Sequence, residues 1–204
     1  MARYKRPPII PNYTLGIVVA HGDSEEIIAK HIKSSLRLNL HIHRRSTSIQ
    51  IDGLLHELNT NYKNLNHLLQ NERLELKTDR GNIFDFKIFT LMDTDDCSED
   101  TRAKYIDKRL FSRYELKEYV IPIYTTPDLE HVLFQCNLIP KIFNDSEKVR
   151  EYGKIFPISR EPYGVSKIDD MRQLSEILKK NKNTNMEKFI DYCISMAELR
   201  KANL

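Results

Sequence analysis

The chain alternates between short runs of apolar residues and longer stretches in which apolar residues recur every three or four positions. The short runs have the length and the β-branched or aromatic content of strands, and they cover residues 14–20, 39–45, 86–92 and 119–124. The periodic stretches predict amphipathic helices over residues 24–36, 47–70 in two pieces, 99–110 and 127–136. Strands that alternate with helices predict an α/β, Rossmann-like fold with a mostly parallel four-stranded sheet flanked by helices. Pro122 cannot donate a hydrogen bond to a neighbouring strand, so the last of the four strands is predicted at an edge.

Two flanking regions differ from this alternating core, which covers residues 14–136. Residues 1–13 are basic and contain three prolines, which predicts an arm without a stable helix. Residues 137–204 predict a helical C-terminal extension packed on the core, and Ser166 is the predicted N-cap of the first of its two amphipathic helices. The apolar stripes of these helices fit either core packing or contact with a second subunit.

Composition narrows the classes of protein to which the chain can belong. Its 204 residues suit one domain with an appended piece, and 30% of them are charged. No apolar run approaches the roughly 20 residues of a membrane span, and no apolar segment follows the basic N-terminus as in a secretory signal. Three widely spaced cysteines favour reduced thiols in the cytoplasm. The net charge of +3 permits nucleic-acid binding without indicating it.

Three carboxylates follow the third predicted strand, at Asp93, Asp95 and Asp96. Ligands bind at the carboxyl ends of strands in open α/β sheets, and an extended backbone would point Asp93 and Asp95 the same way. Two adjacent carboxylates repel each other unless a proton or a cation lies between them, and Mg²⁺ prefers oxygen ligands. The pattern therefore suggests a magnesium site, and a solvated turn that caps the next helix is the alternative.

Acidic residues also follow the first and the fourth predicted strands. Asp23 and Glu26 have the spacing of a capping box at the start of a helix, and Glu25 lies between them. After the fourth strand, Thr126 is the predicted N-cap and Glu130 falls in the first helical turn. Because acids at helix N-termini are stabilised by the helix dipole, capping explains these residues as well as a ligand site does.

The second predicted strand carries two histidines and ends in two arginines. His41 and His43 fall on one face of the strand, where they are either metal ligands or solvated side chains. Arg44 and Arg45 are candidate contacts for the phosphates of a nucleic acid, and a solvated basic turn is the alternative explanation for them.

Three segments in order along the chain resemble the Toprim domain, the metal-binding fold of topoisomerases, primases and several nucleases. VVAHGDSE at 18–25 looks like the family's Glu-Gly motif after the first strand, and LMDTDD at 91–96 looks like its Asp-x-Asp motif. TTPDLEHVLF at 125–134 looks like a segment of RloB-like and OLD-type Toprim proteins, in which a proline is followed by an acid in a helix. The resemblance covers about residues 14–136.

This resemblance implies a set of site residues. Asp93 and Asp95 would hold Mg²⁺ or Mn²⁺, and Glu25 and Glu130 would complete the shell of metal ligands. His21 stands where the family has its first glutamate, and it would act as the catalytic acid or base. Since Mg²⁺ prefers oxygen to an imidazole, either Glu25 takes over the role of the family glutamate, or the metal differs, or catalysis is lost.

The function that the resemblance implies is divalent-metal-dependent phosphoryl transfer, in a nuclease that acts on DNA or RNA and defends against phage or mobile elements. The alternative is a catalytically degenerate Toprim scaffold that serves as a binding or sensing module. A third interpretation is an α/β domain whose acidic residues are only solvated. The expected partners are a nucleic acid, a further protein such as an ATPase, and a second copy of the chain through the C-terminal helices.

Overall fold

The computed structural model of the chain describes residues 12–80, 82–159 and 167–202. Its strands are β1 (Gly16–Ala20), β2 (Leu40–His43), β3 (Thr78–Asp79), β4 (Asn82–Ile83), β5 (Lys87–Asp93) and β6 (Val120–Thr125). Its helices are α1 (Asp23–Leu36), α2 (Ile51–Asn61), α3 (Leu65–Leu69), α4 (Glu99–Ile106), α5 (Leu129–Gln135), α6 (Asp145–Ile155), α7 (Ile168–Leu178) and α8 (Glu187–Ala202). None of the helices in these described ranges is long and apolar enough to cross a membrane.

Four of the strands form one parallel sheet in the order β2-β1-β5-β6. Val18 of β1 pairs with Ile42 on one side and with Phe89 on the other. Nearly every residue of β1 and β5 is buried, because helices cover both faces of the sheet, and this accounts for the continuous apolar runs. The predicted α/β class and parallel four-stranded sheet are confirmed, and Pro122 lies in the edge strand β6.

Two apolar clusters cover the two faces of the sheet. One cluster joins Val18 and Phe89 to α1, α5 and the helices that follow residue 137. The other joins Ile17 and Val19 to α2, α3 and α4. Successive residues of β1 alternate between the clusters, as the two-residue period of a strand requires. The C-terminal helices therefore pack directly on the sheet, on the face that also carries α1.

The segment between α7 and α8 covers the open edge of β6. The side-chain amide of Asn185 donates to the carbonyl of Pro122 at 2.9 Å and accepts from the backbone N–H of Tyr124 at 2.8 Å. The hydroxyl of Thr184 donates to the carbonyl of Tyr124 at 2.9 Å. These two side chains satisfy backbone groups that would otherwise be available to a further strand.

Two helices begin at residues other than the predicted ones. Gly22 is the N-cap of α1 in place of Asp23, and its N–H donates to Oε2 of Glu25 at 2.9 Å. Asp128 is the N-cap of α5 in place of Thr126, and its carboxylate accepts a backbone N–H of the first turn at 2.9 Å. In both helices the carboxylate that accepts a hydrogen bond from a free backbone N–H belongs to a residue that was not predicted to cap the helix.

The segment before β5, in which no strand was predicted, contains the hairpin of β3 and β4. Thr78 pairs with Ile83 in this antiparallel hairpin, and Ile83 is buried in the cluster below α2. The predicted cap at Ser166 and the first eleven residues of the predicted arm lie outside the described residues.

Candidate active site at the carboxyl edge of the sheet

Three buried carboxylates line one cavity of about 500 Å³ at the carboxyl ends of the strands. Glu25 comes from α1, Asp93 from the end of β5 and Glu130 from α5, and their residues are 2%, 8% and 6% exposed. They meet because β1, β5 and β6 are neighbouring parallel strands whose carboxyl ends share one edge. Three buried acids in one cavity require protons, hydrogen bonds or cations to compensate their charge.

Asp93 is tied to the end of β6 and to the start of α5. Its Oδ1 accepts a 2.6 Å hydrogen bond from the hydroxyl of Thr125 and a 3.0 Å hydrogen bond from the N–H of Leu129. Burial raises the pKa of Asp93 to about 6, against the opposing effects of the Thr125 hydrogen bond and the charge of His21. Both hydrogen bonds reach the same oxygen, so Oδ2 is the atom of Asp93 that is available to a ligand.

Glu25 has one oxygen with a partner and one without. Its Oε2 accepts from the N–H of Gly22 at 2.9 Å, whereas its Oε1 is buried and has no hydrogen-bond partner among the described residues. Burial, and then the negative charge of Asp93, raise the pKa of Glu25 well above its usual range. An unpartnered buried acceptor is costly, so this oxygen marks a place for a proton, a water molecule or a cation.

Glu130 has a cationic partner from the C-terminal extension. Its Oε1 accepts from the hydroxyl of Ser24 at 2.7 Å and lies 2.8 Å from Nζ of Lys148 on α6. The side chains of Lys148 and Glu130 are 25% and 8% exposed, so the ion pair is only partly open to solvent. The extension therefore supplies a positive charge to the acidic cavity.

His21 lines the cavity with one ring nitrogen held by the backbone. Its Nδ1 lies 3.0 Å from the carbonyl oxygen of Ile49, and the N–H of Ile49 donates to the carbonyl of His21 at 2.9 Å. Since a carbonyl can only accept, Nδ1 carries the hydrogen of this contact. In the neutral ring Nε2 is therefore the nitrogen that can accept a proton or a hydrogen bond.

The structure does not bring Asp95 into the cavity with Asp93. The backbone turns after Asp93, where the N–H of Thr94 donates to the carbonyls of Thr125 and Pro127, both at 3.0 Å. The extended backbone that would point the two aspartates the same way therefore ends at Asp93. Asp95 is exposed to solvent, outside the cavity lining.

The two candidate phosphate-binding arginines lie in different surroundings. Arg44 lines the cavity and forms ion pairs with Asp23 at 2.6 Å and Glu26 at 3.7 Å. Its Nε is buried without a hydrogen-bond partner in the described part of the chain. Arg45 lies outside the cavity lining and pairs with Glu57 at 3.3 Å. Arg44 is thus the one of the two that faces the acidic site.

Glu57 also contacts one of the two histidines of β2. Nε2 of His43 lies 2.7 Å from Oε1 of Glu57, and the rings of His41 and His43 both meet the ring of Tyr62 edge-on. These contacts hold the histidines in a packed cluster between β2 and α2.

The donor atoms of the cavity suit a hard divalent cation, although the carboxylates stand apart from one another. No three His, Cys, Asp or Glu side chains in the described ranges come together closely enough to enclose a metal ion. Glu25, Asp93 and Glu130 nevertheless offer only oxygen donors, which Mg²⁺ and Mn²⁺ prefer. Among these carboxylate oxygens of the described residues, Oε1 of Glu25 is the one that is buried without a hydrogen-bond partner.

Sequence reasoning missed three residues of this site. Ser24 and Lys148 hold Glu130, and the hydroxyl of Tyr152 is buried near the same acids without a hydrogen-bond partner in the described residues. Burial, followed by the charges of Glu130 and Glu25, raises the pKa of Tyr152. Lys148 and Tyr152 are four residues apart on α6, so they share one face of the helix. This spacing was the one feature of the sequence that could have indicated that they act together.

Comparison of the chain with protein-family models, with curated proteins and with solved structures finds no match in any of the three. The geometry of the cavity is therefore the ground on which a function can be assigned.

Proposed function

We propose that the protein is a divalent-metal-dependent phosphoryl-transfer enzyme, a nuclease that acts on DNA or RNA. The observation that carries this proposal is the unpartnered Oε1 of Glu25, buried in a cavity that it shares with Asp93 and Glu130. These three residues would hold Mg²⁺ or Mn²⁺. When bound, the ion supplies positive charge that stabilises the developing charge on a scissile phosphate.

The other residues of the cavity have roles that fit this chemistry. Nε2 of His21 is free to accept a proton from an attacking water, because Ile49 holds Nδ1. Arg44 and Lys148 place two positive charges around the cavity, where they would orient an anionic phosphate. Asp95 remains a predicted metal ligand, although its side chain is exposed and lies outside the cavity lining.

A cleavage assay tests the proposal directly. Labelled single- and double-stranded DNA and RNA are incubated with the protein in Mg²⁺, in Mn²⁺ and in EDTA. We expect cleavage that requires a divalent ion and that falls by roughly 10²-fold or more in Glu25→Gln and Asp93→Asn. Glu115→Gln, which changes an exposed carboxylate outside the cavity lining, is the matched control. Equal activity in Glu25→Gln and the control would contradict the proposal.

The Lys148–Glu130 ion pair favours a second candidate, a binding or sensing module built on the same scaffold. Lys148 already compensates one of the three acids, so the cavity can exist without a metal ion. Calorimetry with Mg²⁺ and Mn²⁺ separates the two candidates when combined with the cleavage assay. Nucleic-acid binding without cleavage under any ion supports the module, and ion-dependent cleavage excludes it.

The resemblance to Toprim proteins also supports a proposed setting for either activity. In this setting the protein would defend against phage or mobile elements. It would act with an ATPase partner and self-associate through α7 and α8. Ile177 and Leu199 are apolar residues of these two helices that are 36% and 53% exposed, which fits a contact surface. Sedimentation of the wild type beside Leu199→Lys tests self-association, because a charge in the contact would dissociate the assembly.

A further inference from the structure

A groove runs from the acidic cavity along α1 to a basic depression beside β2. Val149 lines both the acidic cavity and a second depression of about 410 Å³. Lys30 and Ile158 line this second depression and also a third, of about 720 Å³. The three depressions therefore follow one another along the surface of α1. From Glu25 to Arg37 the path is about 18 Å long at 1.5 Å per helical residue.

The electrostatic character changes sharply along this groove. Lys33, Arg37 and His41 line the third depression together with Lys30. Lys30, Lys33 and Arg37 are three and four residues apart, so they project from one face of the helix. Within the parts of the chain that the structure describes, no carboxylate lines the second or the third depression. The groove therefore leads from an acidic end to a basic end.

The positive charges of Lys30 and Lys33 at the basic end are only partly compensated. Lys30 pairs with Glu26 at 2.7 Å, but its side chain is 45% exposed. Lys33 donates to the carbonyl of Leu40 at 2.7 Å, which uses one of the three N–H groups of its ammonium. Burial and the charge of Lys30 lower the pKa of Lys33. A bound anion would relieve this repulsion between neighbouring cations.

The groove also offers apolar contact surface between its two ends. Val149 and Ile158 are 53% and 55% exposed at the points where the depressions join, and Ile27 lines the second depression beside them. A single nucleic-acid strand presents both phosphates and the faces of its bases, whereas a duplex hides its bases in the stack. A positively charged groove that tracks the backbone is one part of the combination that binds single strands, and aliphatic side chains here occupy the position of the aromatic stacking platforms.

We propose that this groove binds the sugar-phosphate backbone of a single-stranded nucleic acid, with Lys30, Lys33 and Arg37 on its phosphates, and leads the strand toward the acidic cavity. The inference rests on the proposed function for the role of the cavity. The path has room for about five stacked nucleotides at 3.4 Å apiece.

Fluorescence anisotropy with a labelled single-stranded 12-nucleotide probe, as DNA and as RNA, tests this binding site. EDTA in the buffer prevents cleavage. The groove variant is Lys30→Glu with Lys33→Glu, and the matched control is Lys63→Glu with Lys117→Glu, which changes the charge equally on the opposite face of the sheet. We expect the groove variant to bind at least tenfold more weakly than the control. Its plot of log affinity against log salt should lose a slope of about 0.7 for each phosphate contact removed.

Several outcomes overturn the inference. It fails if the groove variant binds like the control, if the wild type binds no single strand, or if an unlabelled duplex competes as well as a single strand. Circular dichroism checks that the double variant is folded, and the single change Lys30→Gln at an exposed position repeats the test if it is not. If the wild type cleaves nucleic acid but the groove variant binds normally, only the proposed role of the groove is contradicted. If binding depends on the groove but no cleavage occurs, only the proposed nuclease activity is contradicted.

Discussion

The ammonium of Lys148 lies 2.8 Å from Oε1 of Glu130, so a residue of the C-terminal extension neutralises an acid of the core. Glu130 lies in the first turn of α5 and also accepts a hydrogen bond from the hydroxyl of Ser24 on α1. Three helices thus meet at one carboxylate. The extension is therefore part of the candidate site. Its role can be measured by comparing the effect of removing the Lys148 ammonium with the effect of adding a divalent cation.

Replacing Lys148 by methionine removes the cation and keeps most of the volume of the side chain. In EDTA we expect a loss of about 1–3 kcal/mol in the free energy of unfolding, because Glu130 keeps a buried charge without its partner. Added Mg²⁺ or Mn²⁺ should then raise the melting temperature of Lys148→Met more than that of the wild type. Differential scanning fluorimetry measures both shifts, and equal shifts in the two proteins would contradict an ion at this place.

The buried acids predict that metal-free stability falls as the pH rises. The pKa of Asp93 is raised to about 6 and that of Glu25 is raised well above its usual range, so the folded protein holds protons that the unfolded chain releases near pH 4. The stability that the Asp93 proton provides is complete below about pH 4 and is lost as the pH rises through about 6. The stability from the Glu25 proton is likewise lost as the pH rises toward the raised pKa of that group.

The variant Glu25→Gln isolates this effect from other titrations. It cannot ionise, so in EDTA it should melt above the wild type at pH 7.5, and the difference should shrink toward pH 4. A divalent ion at pH 7.5 should raise the melting temperature of the wild type and leave that of Glu25→Gln nearly unchanged. A difference between the two proteins that is the same at every pH would contradict the raised pKa.

The turn after β5 predicts different effects for substitutions at Asp93 and at Asp95. Asp93→Ala removes the acceptor of Thr125 and Leu129 and should cost about 2 kcal/mol, whereas Asp93→Asn keeps an oxygen there and should cost less. Asp95→Asn changes an exposed side chain and should leave stability within about 0.5 kcal/mol. Urea denaturation measures all three. A cost at Asp95 as large as that at Asp93→Ala would contradict the observed turn.

The hydrogen bond from His21 to Ile49 predicts how substitutions at His21 change the cleavage rate. His21→Ala should lower the rate by roughly 10²-fold, the usual contribution of a general acid–base group, with little change in substrate binding. His21→Glu places a carboxylate where the Toprim pattern has one, and it should retain more activity than His21→Ala. Single-turnover rates measure this order, and full activity in His21→Ala would assign the proton transfer to another group.

The covered edge of β6 predicts a stability effect far from the cavity. Asn185→Ala leaves the carbonyl of Pro122 and the N–H of Tyr124 without their side-chain partner. We expect a loss of about 2 kcal/mol, or about 4–8 °C in melting temperature. Asn183→Ala, an exposed neighbour, is the matched control and should change the melting temperature little. Equal melting temperatures for the two variants would show that solvent replaces the amide.

The sequence predicted the meeting of Glu25, Asp93 and Glu130 because that meeting depends only on topology. Parallel strands bring their carboxyl ends to one edge, so an acid after each strand converges on that edge. The direction of Asp95 could not be predicted in the same way. It depends on the N–H of Thr94, which bonds to the neighbouring turn and bends the chain.

Lys148 and the basic groove were harder to find for different reasons. Lys148 belongs to a charged helix whose position is set by the packing of apolar side chains such as Tyr152 and Phe156 on the sheet, and periodicity does not give that position. Lys30, Lys33 and Arg37 did carry a signal, their shared helix face. Their proposed role depends on the structure, because only the structure connects that helix face to the acidic cavity.

The hydrogen bond between Ser24 and Glu130 joins residues 106 positions apart in the chain, so the cavity depends on contacts of long range in sequence. Contacts of such high order form after local helices, because closing a long loop costs entropy before the contact repays it. During synthesis the ribosome must release the chain beyond Lys148 before the acids acquire their internal cation. A chain that ends before Lys148 therefore carries the three carboxylates without their internal cation.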